Sequence, residues 1–554
     1  MRPIAHRFFA KIDFARKAPG ACVGTPACAG MGALARPNRA QFGRGPRPWR
    51  VSIRHHLLGT ALITSVVVAM IIAMIVAIFA APIATAATRP HYGGTLRVMM
   101  QSAPDALELP ANATPANYWD MARTLSLIGD TLVRLDAQNR AQPALAVAWQ
   151  SDPAGRQWQF TLRRGVKFHD GSAASPAVIA QILASLHRGW NVRASADSVF
   201  IETETPLPSL LAELALPRNL LLQRNGNGFP TGTGPFLIAA WQPGKLLRLA
   251  ANEESWAGRP FVDAIEIEFG KSLHDQAIAL ELDKTDVIEA PPQAANGWQG
   301  RGTASSSLRR PLSSSSSLSS SLSSSLPAEL LALVFSANSK AQDPHLREAL
   351  ALAIDRKPIQ SVLLKGAGEP AASILPNWMT GYSAVFSEPA NPQRARTLIA
   401  DSRQPALNLS YDLSYDPRDP QAQLIAERIA LNAHEVGIKM QVSVSKTEDI
   451  RLMRIALPSP DPATSLSEAA RQLGLPQPAF AATPGGVSLE ELYQAERGLV
   501  ADDAVIPLFH LPLATSFGAR VRDWAQGGPG DWNESGFSLV DVWLAESPPQ
   551  AGSR

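Results

Sequence analysis

The sequence predicts a mixed α/β body behind an apolar N-terminal segment, and three observations lead there. The chain has 554 residues, 45% of them hydrophobic and 18% charged, which is ample apolar material for a large core. Segments that alternate apolar and polar residues, such as Trp158–Arg163, interleave with capped segments of helical period, such as Asp343–Asp355. Both cysteines, Cys22 and Cys28, precede the apolar segment, so disulfides and thiolate metal sites are excluded from the body. At roughly 100–200 residues per domain, this length predicts two to four domains or one interdigitated multi-lobed unit.

The net charge of +3 conceals a split. Met1 to His56 carries eleven Lys/Arg and one acid, Asp13, a net of +10. Subtraction from 51 basic and 48 acidic residues leaves 40 and 47 for the remainder, a net of −7. An acidic body argues against nucleic acid as a partner, which would require a basic patch on the domain itself. Residues 1–56 read either as a basic disordered tail or as upstream sequence ahead of a true start near Val51. Leu57 to Ala81 is a 25-residue stretch without charge. As a helix it would reach about 37 Å, beyond the ~30 Å hydrocarbon core. Arg50 and Arg54 lie just before it, which places the body outside the cytoplasm. Ala84-Thr85-Ala86 resembles a signal-peptidase site. Residues 57–86 are therefore expected to be a signal peptide or a membrane anchor, and the body periplasmic, with 57–81 as the tether if it stays uncleaved.

Along the body, Gly93 to Met100 reads as a first strand, and helical patterning follows from Tyr118 to Leu135. Trp158–Arg163 is a half-buried strand, and Gly165 turns the chain into a second strand at Val166-Lys167-Phe168. Ser175-Pro176 caps and opens a helix through Leu186. Ser305 to Ser325 holds fourteen serines in twenty-one positions and is expected to be a flexible surface segment. Asp343 with Pro344 starts an amphipathic helix to about Asp355, and Pro358 opens a short helix through Leu363. A further helix runs from about Pro420 to Val436, stopped by Gly437, and Ile438–Val442 is a strand. Leu457 to Gly486 is expected to be loops with one short helix.

Several of these segments, in order, resemble the family 5 extracellular solute-binding proteins of ABC importers, the dipeptide, oligopeptide and nickel binders. Leu145–Trp149 followed by Trp158–Gly171 is similar to "LAxxW" and "F-x-LR-x-G-V-x-F-H-D-G". Gly232–Phe236, Trp241 and Asn252–Gly258 resemble "GTGPY … W … N-x-x-Y-W-x-G". Leu346–Arg356 resembles "VRxAlxxAIDR", and Glu435–Ile438 and Ala504–Leu508 complete the series. The match runs from about Gly93 to Asp523. The resemblance implies a two-lobed periplasmic-binding-protein fold of type II, in the large cluster with an extra subdomain, with a hinge and an interlobe ligand cleft. The first lobe with its subdomain would take 87–300, the Ser-rich linker 301–326 and the second lobe 327–506, with 507–554 returning to the first lobe. It further implies a monomeric receptor that delivers a small organic solute or peptide to a permease and ATPase complex. The alternative is a membrane-tethered protein of the same build, acting as a sensor or peptide-binding chaperone without uptake. A neighbouring gene pair for permease and ATPase would separate the two.

Most of these motifs explain themselves as scaffold, so ligand residues are sought elsewhere. Peptide binders of this family carry a "W-x-x-D-Y-P-D-P"-like segment whose first Asp pairs with the ligand ammonium. Here Pro458-Ser459-Pro460-Asp461-Pro462 keeps the later Asp, but Pro458 stands at the amine-pairing position. A buried ammonium without a carboxylate costs several kcal/mol, so free-amine peptides lose that anchor. The candidate ligand-binding residues are Ser102, Trp378, Tyr382 and Asp461. Trp378 and Tyr382 sit in a Pro/Gly-flanked loop, with core packing as the alternative. Ser102 follows the first strand, and Asp461 could anchor a cation or simply cap a turn ahead of Pro462.

No catalytic residues, cofactor or metal site is expected. Ser443-Val444-Ser445-Lys446 fits S-x-x-K, but S-D-N and K-T-G are absent and the alternation with Val442 and Val444 reads as a strand. No G-x-S-x-G, H-E-x-x-H or P-loop occurs. The body's histidines, His91, His169, His187, His274, His345, His434 and His510, form no i, i+4 pair. The alternative is a metal carried in as a chelate.

Overall fold

Thr95–Met99 (β1) is a central strand, with Leu96, Val98 and Met99 buried. Pro115–Ser126 (α1) follows it. The computed structural model describes residues 90–545 except 110–114, 137, 225–228, 291–320, 337–338, 387–388, 402–409, 420, 445–448, 481–485, 502 and 524–540. The basic tail, Leu57–Ala81, the Ala84–Ala86 site and the serine tract up to Ser320 lie outside the described residues. No described helix is long and apolar enough to cross a membrane. Helical patterning was expected to reach Leu135; instead α1 ends at Ser126 and Val133–Leu135 is a short strand, because Gly129 and Asp130 interrupt the helix period.

Ala146–Ser151 (β2), Gln157–Leu162 (β3), Trp190–Ser195 (β4) and Ser198–Thr203 (β5) form a separate antiparallel sheet in the order β2-β3-β5-β4. Phe160, Val199 and Ile201 are buried against Pro176–Leu186 (α2), whose N-cap Ser175 accepts from the Val178 amide. The expected second strand at Val166–Phe168 is reduced to one bridge, Lys167 to Ala173. Val166 and Phe168 are buried all the same, so the alternation reports burial without a ladder.

The motif Gly232-Thr233-Gly234 is scaffold of an exacting kind. A Cβ on Gly232 would stand 2.1 Å from the Ile128 carbonyl oxygen, and one on Gly234 2.6 Å from the Ile128 carbonyl carbon. Thr233 Oγ1 donates to Asp130 at 2.9 Å, and Trp256 Nε1 donates to the same carboxylate at 2.8 Å. The two motif segments are thus tied to the loop after α1.

Phe236–Gln242 (β6), Leu246–Ala251 (β7) and Ala264–Glu268 (β8) lead into the main sheet, then Leu273–Glu281 (α3) and Val287–Ala290 (β9). Ser321–Phe335 (β10) comes next, followed by Pro344–Ala353 (α4), Ser410–Ser414 (β11), Ala422–Glu435 (α5), Lys439–Ser443 (β12) and Ile450–Ala456 (β13). Pro462–Leu473 (α6), Leu489–Val500 (α7) and Val505–Phe517 (β14) follow. The sheet order is β6-β7-β8-β1-β9-β14-β10-β13-β11-β12, with Glu369–Pro370 pairing at the side of β14. β1 is parallel to β8 and β9, and β11 is parallel to β12 and β13.

Two long antiparallel strands join these halves. β14 pairs through Ala514–Phe517 with β9 and with Ser321–Ser324, and through Val505–Leu511 with Glu329–Val334. Pro327 stands opposite Pro512 where the register shifts. Proline has no N–H to give, so the ladder is interrupted on both strands at one level. The serine tract is therefore not a linker to its end: the backbone of Ser321–Ser325 belongs to β10. Leu457–Gly486, expected to be loops with one short helix, holds the twelve-residue helix α6, begun by Asp461 as N-cap with Pro462 behind it. One core packs against β1, β7 and β8, and others cover the two faces of the β10/β13/β14 region.

Candidate ligand-binding seam

In an open α/β sheet, ligands lie outside the carboxyl ends of the parallel strands, where the sheet order turns. β1 and β9 end there together. Gln101 and Ser102 leave β1, and Glu289 lies near the end of β9. The Gln101 amide donates to Glu289 Oε2 at 2.5 Å, and Gln276 Nε2 of α3 donates to the same oxygen at 3.0 Å. The Ser102 amide donates to Asp120 Oδ2 of α1 at 3.3 Å. Asp120 and Glu289 interact directly, and Arg123, one turn along α1, faces both.

This group is buried, and burial dominates its electrostatics. Asp120 is 1% exposed, and its carboxyl is held above the usual carboxylate range by loss of water. Glu289 is pushed up to about 8 by burial and then by the Asp120 charge. Burial lowers the Arg123 guanidinium, opposed by Asp120, Glu289 and Glu329. Two adjacent carboxyl groups cannot both ionise cheaply, so the pair retains a proton near neutral pH.

From the other half, the carboxyl ends of β11 and β13 bring a second charged set. Arg454 of β13 donates to Asp419 at 2.8 Å and to Glu329 of β10 at 3.2 Å. Burial raises Glu329 even against the Arg454 charge. Gln101 Nε2 crosses to the Arg418 carbonyl at 3.2 Å. Beside these groups lies an apolar patch: Tyr118, Trp119 and Ala122 of α1 with Ala328, Ala456, Trp378 and Met379. Further along the seam Arg218 bridges Glu213 and Glu468, Glu468 also holds Arg471, and Asn139 Nδ2 donates to Asp461 at 3.1 Å.

The four candidate residues fall in different places. Ser102 is 4% exposed, adjoins Asp120, and its Oγ has no hydrogen-bond partner of normal geometry. Trp378 lies in the short helix Asn377–Thr380, joins the α1 aromatic patch and donates its Nε1 to the Pro327 carbonyl at 3.0 Å. Tyr382 faces inward: its hydroxyl donates to Glu496 at 2.8 Å, and Glu496, pushed up to about 7 by burial, also receives the Leu375 amide. Asp461 accepts from the Thr464 amide and hydroxyl at 2.9 and 2.7 Å. Ser102 and Trp378 thus both meet α1, while Asp461 and Tyr382 are engaged elsewhere. Sequence reasoning missed Asp120, Arg123, Glu289 and Glu329. The available signal was an acid inside an apolar run, as in Ala328-Glu329-Leu330-Leu331 and Val287-Ile288-Glu289.

The matched family is described as bacterial extracellular solute-binding proteins, family 5, middle part, and it covers residues 140–467. The chain belongs to that family, whose members bind solutes rather than transform them. Among relatives, it is 24% identical over 417 residues to the probable di/tripeptide-binding protein 5 of Pseudomonas aeruginosa strain UCBPP-PA14, covering 66% of this chain and 74% of that one. It is 22% identical to the nickel-binding protein NikA of Staphylococcus aureus, covering 58% and 65%. The solved structure of the binding protein AgaA from A. tumefaciens R10, in complex with agropinic acid, matches with a TM-score of 0.68 at 18% identity, covering 82% of this chain and 99% of that one. This last likeness bears on the fold alone.

Proposed function

We propose that the protein is an extracytoplasmic receptor that closes two lobes around a small organic or peptide-like solute and presents it to an ABC importer. The observation that carries the reading is the pair of long strands β10 and β14. Each runs from one half of the sheet into the other, and both are interrupted at Pro327 and Pro512. We place the hinge there, with the lobes divided at these prolines and the ligand at the carboxyl ends of β1, β9, β11 and β13. Hinges are short segments that absorb backbone rotation, and a ladder without amide donors resists rotation least. The uncharged Leu57–Ala81 segment supports export, and the family supports import by a permease and ATPase.

Closure is testable by small-angle scattering. The purified protein is stripped of bound solute, then returned to a dialysate of its source culture. The radius of gyration is expected to fall on return. An unchanged radius, with solute demonstrably bound, would rule out lobe closure.

A further inference from the structure

Resting on the receptor reading, we propose that Asp120 and Glu289, with Ser102 Oγ as third acceptor, form an anchor for a cationic nitrogen of the solute. The three residues come from separate elements, α1, β9 and the turn after β1, and converge at the carboxyl ends of two parallel strands. A core built for packing alone would not place two carboxyl groups in contact there. The positive charges nearby do not balance them. Arg123 faces Asp120, Glu289 and Glu329 together, and Arg454 is taken by Glu329 and Asp419. Gln101 and Gln276 fix one Glu289 oxygen from their own N–H groups, which orients the carboxyl and adds no charge.

Ser102 adds a third acceptor beside the carboxyl pair, its side chain turned toward Asp120. Its hydroxyl is buried and lacks a well-formed partner. A buried hydroxyl left in that state is destabilising until a donor reaches it. An ammonium has three N–H donors, matching Asp120, Glu289 and Ser102 Oγ; a guanidinium offers a planar fork to the two carboxylates. The exchange balances: one cation enters, the proton held by the pair leaves to solvent, and both carboxylates become ionised against the new charge.

The test uses the whole extracytoplasmic protein, wild type, Asp120→Asn and Glu289→Gln, each first shown to unfold cooperatively. The ammonium arm compares trialanine with N-acetyl-trialanine. The guanidinium arm compares Nα-acetylarginine amide with Nα-acetylcitrulline amide. Thermal shift and calorimetry are read at about pH 7, in buffers of different ionisation enthalpy, below the titration of Glu289. Expected is tight binding of at least one cationic member, loss of about tenfold or more for its neutral partner and for both variants, and proton release with wild type alone. Equal binding of charged and neutral members, unchanged binding by the variants, or no cationic binding overturns the anchor. The first two outcomes leave the receptor reading standing. That reading fails separately if the protein takes up neither these probes nor any solute retained on purification.

Discussion

Glu289 keeps its proton because ionisation would set a second negative charge against Asp120 out of water. Burial, then the Asp120 charge, pushes this carboxyl up to about 8 in the folded chain, from an ordinary 4.5. Between those values the folded state binds more protons than the unfolded chain, so stability falls as pH rises through that window. Glu289→Gln cannot titrate. The variant should therefore lose less stability than wild type between pH about 5 and 8, measured by urea unfolding at several pH values. Parallel pH profiles would mean that the carboxyl is ionised throughout and that the pair shares no proton. Tyr382 makes a contrasting case at the same scale. Its hydroxyl is committed to the buried Glu496, which accounts for the residue by packing and hydrogen bonding.

Elements obey local rules until a distant partner overrides them. Asp343 with Pro344, Ser175 with Pro176 and Gly437 marked helix ends that the chain observes, because caps are read within one turn. The resemblance motifs are equally local: Gly232 and Gly234 exist to let backbone meet backbone. By contrast, Ser321–Ser325 is strand because Ala514–Phe517 lies beside it, and serine composition carries no trace of that ladder. The Asp120–Glu289 contact joins residues far apart in the chain and was equally invisible; Ser102 and Trp378 were legible only as residues flanking turns. Of the serine tract, residues 305–320 are mostly serine and carry little apolar side chain with which to offset ordering entropy. Replacing 305–320 by a short Gly/Ser linker should leave the unfolding midpoint unchanged. Extending the replacement through Ser325 should lower it by more than about 5 °C. Equal midpoints for the two replacements would show that the ladder at Ser321–Ser324 contributes nothing.

At the scale of the molecule, the sheet is one path, but its directions divide it. β1, β8 and β9 are parallel on one side, β11, β12 and β13 on the other, and only antiparallel pairings lie between them. Two sets of carboxyl ends thus border one seam, lined by charged groups on either side of an aromatic patch on α1. Such a seam suits a solute that is held and released without chemistry. Native mass spectrometry of the purified protein tests this most directly. The account predicts one small organic solute per chain, shed on unfolding and unchanged in mass after prolonged incubation at working temperature. A chain that carries no solute when purified from rich medium, or a solute whose mass changes during incubation, would contradict it.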